Sequence, residues 1–237
     1  MLKFDWRSIM NIARVRERNE TSTIAALCIG ILSLPRSVAV DALVVPQGED
    51  EIWRVTAAVR DWNVHKTAKY LLIAGDQWKA TGQGRPQEGK SGPDITLESL
   101  RNPPYSLTRN DGVIVNDFDA NTKTQTEWVW GKMNDLGLSS FELHVSPYHL
   151  VRWYLTFLKT SVKLGKLFVV IPSPTPSEMD RVAPLSGATP WELVAGEVQR
   201  IKMYQEKEDV GDVATLFELQ EYLKWLWQQP VLADHRI

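Results

Sequence analysis

The segment Ser146-Pro147-Tyr148-His149-Leu150-Val151-Arg152 sets a phenol, an imidazole and a guanidinium close together in the chain. His149 and Arg152 are three residues apart, so on a helix they share a face. At the start of a helix, open backbone N–H groups and the helix dipole favour an anion. Arg152 can hold a carboxylate or phosphate there through two parallel N–H bonds. His149 can donate to that ligand or serve as its acid or base. A purely structural reading of the same residues has Ser146 capping the helix, Tyr148 and His149 packed, and Arg152 solvated.

A second polar run, Asn121-Thr122-Lys123-Thr124-Gln125-Thr126-Glu127, opens another helical stretch. Thr124 with Glu127 matches a capping box, which leaves Asn121 and Thr122 ahead of the cap and able to face a ligand. Asp117 and Asp119 can bind a divalent cation or serve as turn residues. No metal is expected, because the four histidines are dispersed and form no metal-ligand box. Gly82-Gln83-Gly84 does not continue as a dinucleotide fingerprint, and Pro86 stands where a helix should open. A phosphate-binding Walker loop and a Gly-x-Ser-x-Gly nucleophile elbow are both absent.

The elements that must position these residues follow from apolar patterning. Strands are predicted at Asp41-Ala42-Leu43-Val44-Val45, Tyr70 to Ala74, Gly112 to Val115, Phe141 to Val145 and Lys166 to Ile171. Several are continuous apolar runs, as strands buried on both faces read. Helix faces lie between them: Ile52, Val55, Val59 and Trp62; Val129, Met133 and Leu136; Leu150, Tyr154 and Phe157. The alternation predicts an α/β, Rossmann-like, doubly wound fold with a mainly parallel five-stranded sheet. Ligands of such sheets bind beyond the carboxyl ends of the strands. There the chain carries Pro46-Gln47-Gly48, Gly75-Asp76, Asn116 to Thr122, Ser146 to Arg152, and Pro172-Ser173. Residues 76–95 are rich in glycine and leave the second strand, so they are expected above the same edge, as a lid or a solvated loop. From Pro172 the chain reads as a proline-rich linker and then two helices. Val194, Val198 and Ile201 stripe the first; Leu216, Leu219, Leu223 and Leu226 stripe the second. The expected organisation is an N-terminal helical segment over 1–39, the α/β domain over 40–175, and a C-terminal helical subdomain over 176–237 packed on the body.

Composition narrows the function class. The 237 residues are 43% hydrophobic and 24% charged, which is ordinary for a globular chain. One cysteine, Cys28, excludes a disulfide framework. A net charge of −2 argues against a general nucleic-acid binder. The ten tryptophans sit mostly at helix positions and are expected in the core rather than as a stacking platform. The apolar run Ile24 to Leu34 is shorter than the roughly 20 residues of a membrane span. It is read as a packed helix of a cytoplasmic protein, ended by Pro35. The alternative is a marginal export signal, with a basic start from Lys3 to Arg18 and small residues at Ser37-Val38-Ala39.

Taken in order, residues 40–175 resemble the YdcF-like domain-of-unknown-function family, which includes SanA and ElyC. Asp41 to Val45 followed by Arg54 is similar to its opening strand and helix, and Leu71 to Gly75 to its second strand with terminal glycine. Asp119-Ala120-Asn121-Thr122 resembles its Ser-x-Asn-Thr signature, and Tyr148-His149-Leu150-Val151-Arg152 its Tyr-His-x-x-Arg signature. Glu197 to Lys202 looks like its helical C-terminal extension. The resemblance implies a Rossmann-like domain with a site formed by Gly75, Asn121, Thr122, His149 and Arg152. It also implies S-adenosylmethionine as a possible cofactor, or a part in envelope biogenesis. The chain departs from the family in three places. The turn after the first strand is Pro46-Gln47-Gly48-Glu49 rather than glycine-rich; Thr124 and Gln125 stand where Glu and Asn are usual; and Glu98 is the nearest candidate for the family's glutamate.

Three functional readings result. The leading one is a binder of a small anionic or nucleotide-like ligand, S-adenosylmethionine among them. Arg152 would hold the anionic group, and His149 would orient or protonate the ligand. Gln47, Gly48, Arg54, Gly75, Asn121, Thr122, Ser146 and Tyr148 would line the pocket. The second is an enzyme acting on envelope or sugar-phosphate precursors, with His149 as acid or base. The third is a non-catalytic interaction module whose tail exposes Leu216, Leu219 or Trp227 to a partner.

Overall fold

The computed structural model describes residues 20–34, 38–48, 52–64, 68–75, 95–116, 121–176, 187–205 and 211–235, with 178, 180 and 182 singly. The basic start of the chain, nearly all of the 76–95 segment, and Asp117, Asp119 and Ala120 lie outside them. The chain runs α1 (Glu20–Leu32), β1 (Ala42–Pro46), α2 (Ile52–Val64), β2 (Tyr70–Ala74), α3 (Leu97–Arg101) and β3 (Val113–Val115). It continues with α4 (Thr122–Asp135), β4 (Ser140–Val145), α5 (Pro147–Leu164) and β5 (Val169–Pro174). Two helices, α6 (Pro190–Gln205) and α7 (Leu216–Leu226), and a 3-10 turn at Pro230–His235 follow.

The five strands form one sheet in the order β3-β2-β1-β4-β5, with every pairing parallel. β1 is buried at every position, as its unbroken apolar run requires of a central strand covered on both faces. α2 packs against β1 and β4, whereas α4 packs against α5 and lies over β1 and β2. Asp41 sets the register at the N-terminal edge. Its Oδ2 accepts from the backbone N–H and hydroxyl of both Ser139 and Ser140, tying the start of β1 to the start of β4. Burial pushes this carboxyl up, but those hydrogen bonds outweigh burial and hold it below its usual value.

Beneath α5 an aromatic cluster fills the core. Phe141 meets Phe157 edge-on at 4.8 Å between ring centres, and Trp153 stacks on Phe157 at 5.6 Å. α5 starts at Pro147, whose missing N–H costs nothing at a helix's first position, and ends at Gly165 in the left-handed conformation. Gly112 precedes β3 with φ +84, and a Cβ there would collide with the Lys69 carbonyl oxygen, so only glycine serves.

Several boundaries differ from the sequence reading. β5 is Val169–Pro174, not Lys166–Ile171, so Pro172 and Pro174 belong to a strand rather than to a linker. Proline is tolerated because β5 is an edge strand paired only with β4. β1 and β3 begin one residue later than expected, and β4 one residue earlier. On α6 the expected stripe is only partly buried: Val194 is 37% exposed, whereas Glu197 joins Ile201 inside. Leu219, Leu223 and Leu226 of α7 are buried, and α1 passes close enough that a Cβ on Gly30 would touch Leu219 and Leu223.

α7 also finishes the sheet's edge. The Tyr222 hydroxyl accepts from the Val170 N–H at 3.0 Å and donates to the Phe168 carbonyl at 2.8 Å. Tyr154 donates to the Val170 carbonyl at 3.1 Å. Burial raises the phenols of Tyr154 and Tyr222 well above the ordinary value.

Candidate functional site

The strand order reverses between β1 and β4, since β1 leads to β2 on one side and β4 leads to β5 on the other. That reversal opens a crevice beyond the carboxyl ends of β1 and β4. Gln47 and Gly48 follow β1 there, and Ser146 to Arg152 follow β4. α4 brings Asn121 and Thr122 to the same edge, because it descends from β3 past β2 and β1.

At the crevice two linked groups form. In the first, Arg54 on α2 is buried and donates from Nε to the Ser146 hydroxyl at 2.8 Å. It also donates to the Tyr148 hydroxyl at 3.4 Å and lies 5.8 Å from that ring's centre. Trp53 Nε1 donates to the same Ser146 oxygen at 3.3 Å. Ser146 is the N-cap residue of α5 by position, but its hydroxyl does not cap the helix. It is committed to α2 instead.

The second group carries the chemistry. His149 and Arg152 share one face of α5, as their spacing requires. Arg152 donates from Nη1 to Thr122 Oγ1 at 2.9 Å. Its Nε and Nη2 both reach the carboxylate of Glu197 on α6, at Oε2 and Oε1. Arg200, one turn further along α6, donates to Glu197 Oε1 at 2.6 Å. His149 Nε2 lies 3.5 Å from Thr122 Oγ1. Its Nδ1 faces an acceptor, Glu197 Oε2 at 3.2 Å, and a donor, Arg152 Nη2 at 2.9 Å. The ring tautomer decides which of the two it satisfies; in both, Nε2 is left facing Thr122.

The electrostatics follow from burial. Desolvation first, then the Arg152 charge, lowers His149 from 6.5 to about 4 against the opposing pull of Glu197, so the ring is neutral at pH 7. Burial alone would raise Glu197, but the charge and hydrogen bond of His149, then the hydrogen bonds and charge of Arg152, hold its carboxyl well below the usual range.

A third tether comes from Gln125, buried on α4. Its amide donates to the Gln47 carbonyl at 3.1 Å and the Gly75 carbonyl at 3.0 Å, clamping the ends of β1 and β2. Gln125 stands at a position where the chain departs from the family pattern, and its type announces no chemistry; only its placement makes it a tether.

The structure therefore brings together Thr122, His149 and Arg152, sets Arg54, Ser146 and Tyr148 beside them, and ties Gln47 and Gly75 through Gln125. Gly48 follows Gln47 at the same edge. Asn121 differs from expectation. It is the N-cap of α4, with its Oδ1 accepting from the Thr124 N–H at 3.1 Å, so the capping box is Asn121 with Thr124 rather than Thr124 with Glu127. Glu98 is exposed in the first turn of α3 and has no contact with the cluster. Arg152 also differs, because the two-pronged edge expected to grip a ligand is taken by Glu197. Residue-type reasoning missed Glu197 and Arg200 as site residues. Their only signal was membership of the family-like stretch Glu197 to Lys202.

A cavity of about 310 Å³ lies elsewhere, lined by Lys123, Glu127, Lys159, Thr160, Lys163, Leu164 and Asp212 between α4 and α5. Asp212 pairs with Lys123 at 3.2 Å and Lys163 at 3.6 Å across it. Among the described residues no group of three or more His, Cys, Asp or Glu is placed to hold a metal ion. None of the described helices is long and apolar enough to cross a membrane.

No family model matches the chain, and no curated protein matches it in sequence. Sheet order and topology define its class: a Rossmann-like α/β protein with a buried polar cluster at the point where the strand order reverses.

Proposed function

We propose that the chain binds a small anionic or nucleotide-like ligand at the carboxyl edge of its sheet, between the ends of β1 and β4. One observation carries the reading: two open N–H groups at the head of α4 stand beside the Arg152 guanidinium, which bonds the Thr122 hydroxyl. The Thr124 N–H caps onto Asn121 Oδ1 and the Gln125 N–H bonds the Asn121 carbonyl. The N–H groups of Thr122 and Lys123 have no acceptor among the described residues. Arg152 adds one more: its Nε, Nη2 and one Nη1 N–H reach Glu197 and Thr122, and a second Nη2 N–H reaches His149 when Nδ1 is unprotonated, which leaves one N–H on Nη1 beside the Thr122 hydroxyl. An oxyanion is the natural occupant of such a helix head. The resemblance to the YdcF-like family makes S-adenosylmethionine, through its carboxylate, the first ligand to try. The interaction-module reading has less support, since Leu219 is buried and Leu216 and Trp227 are half-buried against the body.

The test is a thermal-shift screen with S-adenosylmethionine, its demethylated product, nucleotides, nucleotide sugars and inorganic phosphate. A ligand at 100 times its Kd adds about 2.7 kcal/mol, enough to raise Tm by several degrees. The expected result is a shift with one class, lost in Arg152→Lys and His149→Ala. No shift with any class, or a shift retained in both variants, overturns the reading.

A further inference from the structure

Three side chains from three helices stand in series at this edge. Thr122 Oγ1 lies 3.5 Å from His149 Nε2, and His149 Nδ1 lies 3.2 Å from Glu197 Oε2. We propose that Thr122, His149 and Glu197 form a hydroxyl–imidazole–carboxylate relay in which Thr122 is the nucleophile for hydrolysis of small phosphate monoesters. This rests on the anion-binding reading above and adds a reaction to it.

The relay has the parts that nucleophilic catalysis requires: a hydroxyl within reach of a base, and a third group that orients the base. The Thr122–His149 distance is long for a hydrogen bond, as such contacts often are before substrate binds. When Nδ1 carries the proton it donates to the Glu197 carboxylate, the Arg152 Nη2 group loses the ring as an acceptor and keeps only Glu197 Oε1, and Nε2 offers its lone pair to the Thr122 hydroxyl. In the other tautomer Nδ1 accepts from Arg152, Nε2 donates to Thr122, and the relay is idle. The ring is neutral at pH 7, so a ring nitrogen is free to take a proton, though burial and the Arg152 charge weaken it as a base. Arg152 Nη1, 2.9 Å from Thr122 Oγ1, supplies positive charge where the hydroxyl must lose its proton.

The surroundings select a phosphate over a carboxylic ester. Two guanidinium groups, Arg152 and Arg200, meet one carboxylate, Glu197, leaving the trio net positive. The open N–H groups of Thr122 and Lys123 lie at the head of a 14-residue helix. Charge in phosphoryl transfer spreads over three non-bridging oxygens, which several such donors serve. A neutral ester would gain nothing from them before attack.

In the first step Thr122 Oγ bonds to phosphorus and the P–O bond to the leaving alcohol breaks. The hydroxyl proton passes to His149 Nε2, and the departing oxygen, opposite Thr122 Oγ in an in-line displacement, takes a proton from solvent. In the second, water attacks the phosphothreonine from the side the alcohol left and loses a proton to solvent, and the P–Oγ bond breaks as Thr122 takes its proton back from His149. The products are the alcohol and inorganic phosphate, and His149 ends neutral. Glu197 touches no reacting atom; it is a positioning residue.

The experiment measures phosphate release by the full chain from p-nitrophenyl phosphate, a sugar phosphate and a nucleoside monophosphate. p-Nitrophenyl acetate serves as the carboxylic-ester control. Thr122→Ala, Thr122→Ser, His149→Gln and Glu197→Gln are assayed alongside, each checked for folding by circular dichroism and for a melting shift with inorganic phosphate. Expected are turnover of a phosphate ester by the unaltered chain and loss of about 10²–10⁴-fold in Thr122→Ala and His149→Gln. Thr122→Ser should restore activity, and a phosphoryl group should be trapped on Thr122 by acid quench and mass spectrometry. Glu197→Gln should lower kcat with KM little changed and alter the pH profile. If phosphate shifts Tm but no phosphate ester turns over, the relay is overturned and the binding reading stands. Without a melting shift by any ligand, both fall. Turnover retained in Thr122→Ala removes the nucleophile, and turnover of the acetate alone overturns the substrate class.

Discussion

Glu197 grips the guanidinium of Arg152 through both carboxylate oxygens, joining α6 to α5 across 45 residues of chain. Both side chains are nearly closed to solvent, at 6% and 13% exposure. Removing one partner therefore strands the other as a buried charge. Glu197→Ala should destabilise the fold by roughly 3 kcal/mol, read by urea unfolding. Glu197→Gln should cost less, because the amide oxygen still accepts from Arg152. A cycle with Arg152→Met would show strong coupling; additive losses would mean the pair is not formed.

Acid should loosen the same junction. His149 sits at about 4 in the folded chain against 6.5 for an exposed ring, so between those pH values the unfolded chain binds more protons. Glu197 is held well below its ordinary 4.5, which adds a second loss beneath that pH. Both signs agree: stability falls as pH drops from 6.5 through 4 and continues to fall below. Arg54, Arg152 and Glu197 are the charged groups acting on the ring. Melting temperature against pH tests this, and His149→Gln should flatten the slope between 6.5 and 4.

At the far edge of the sheet, Tyr222 takes the place of a missing sixth strand. Tyr222→Phe leaves the Val170 N–H without its acceptor and the Phe168 carbonyl without its donor, both inside the protein. The expected cost is about 2 kcal/mol by denaturant unfolding. An effect below about 0.5 kcal/mol, the low end for one hydrogen bond, would show that water replaces the hydroxyl.

Gln125 offers a sharper contrast. Gln125→Glu would point a carboxylate at the carbonyls of Gln47 and Gly75, acceptor against acceptor. It should therefore be more harmful than Gln125→Met at pH 7, and part of that excess should vanish as the pH is lowered through the range where the new carboxyl takes up a proton. Equal effects of the two substitutions at every pH would mean the amide makes neither bond.

The fold class was legible because strand and helix announce themselves locally. Leu71 to Ala74 is an apolar run of strand length, and Val55, Val59 and Trp62 recur at the period of one helix face, so the alternation of elements could be read without contacts. The exact end of β5 was not, because whether Pro172 and Pro174 continue a strand depends on its lying at an edge, which is a property of the sheet.

Site residues divide in the same way. The three-residue spacing of His149 and Arg152 settled by itself that they share a face, since helix geometry alone sets it. Only the tertiary structure decided what that face meets. Ser146 bonds α2 rather than its own helix, Asn121 turns to cap α4, and Glu197 arrives from α6 to take the fork of Arg152. A side chain's type states what bonds it can make. Which it makes depends on the nearest competing partner, and in a wound sheet that partner comes from elements far away in the chain.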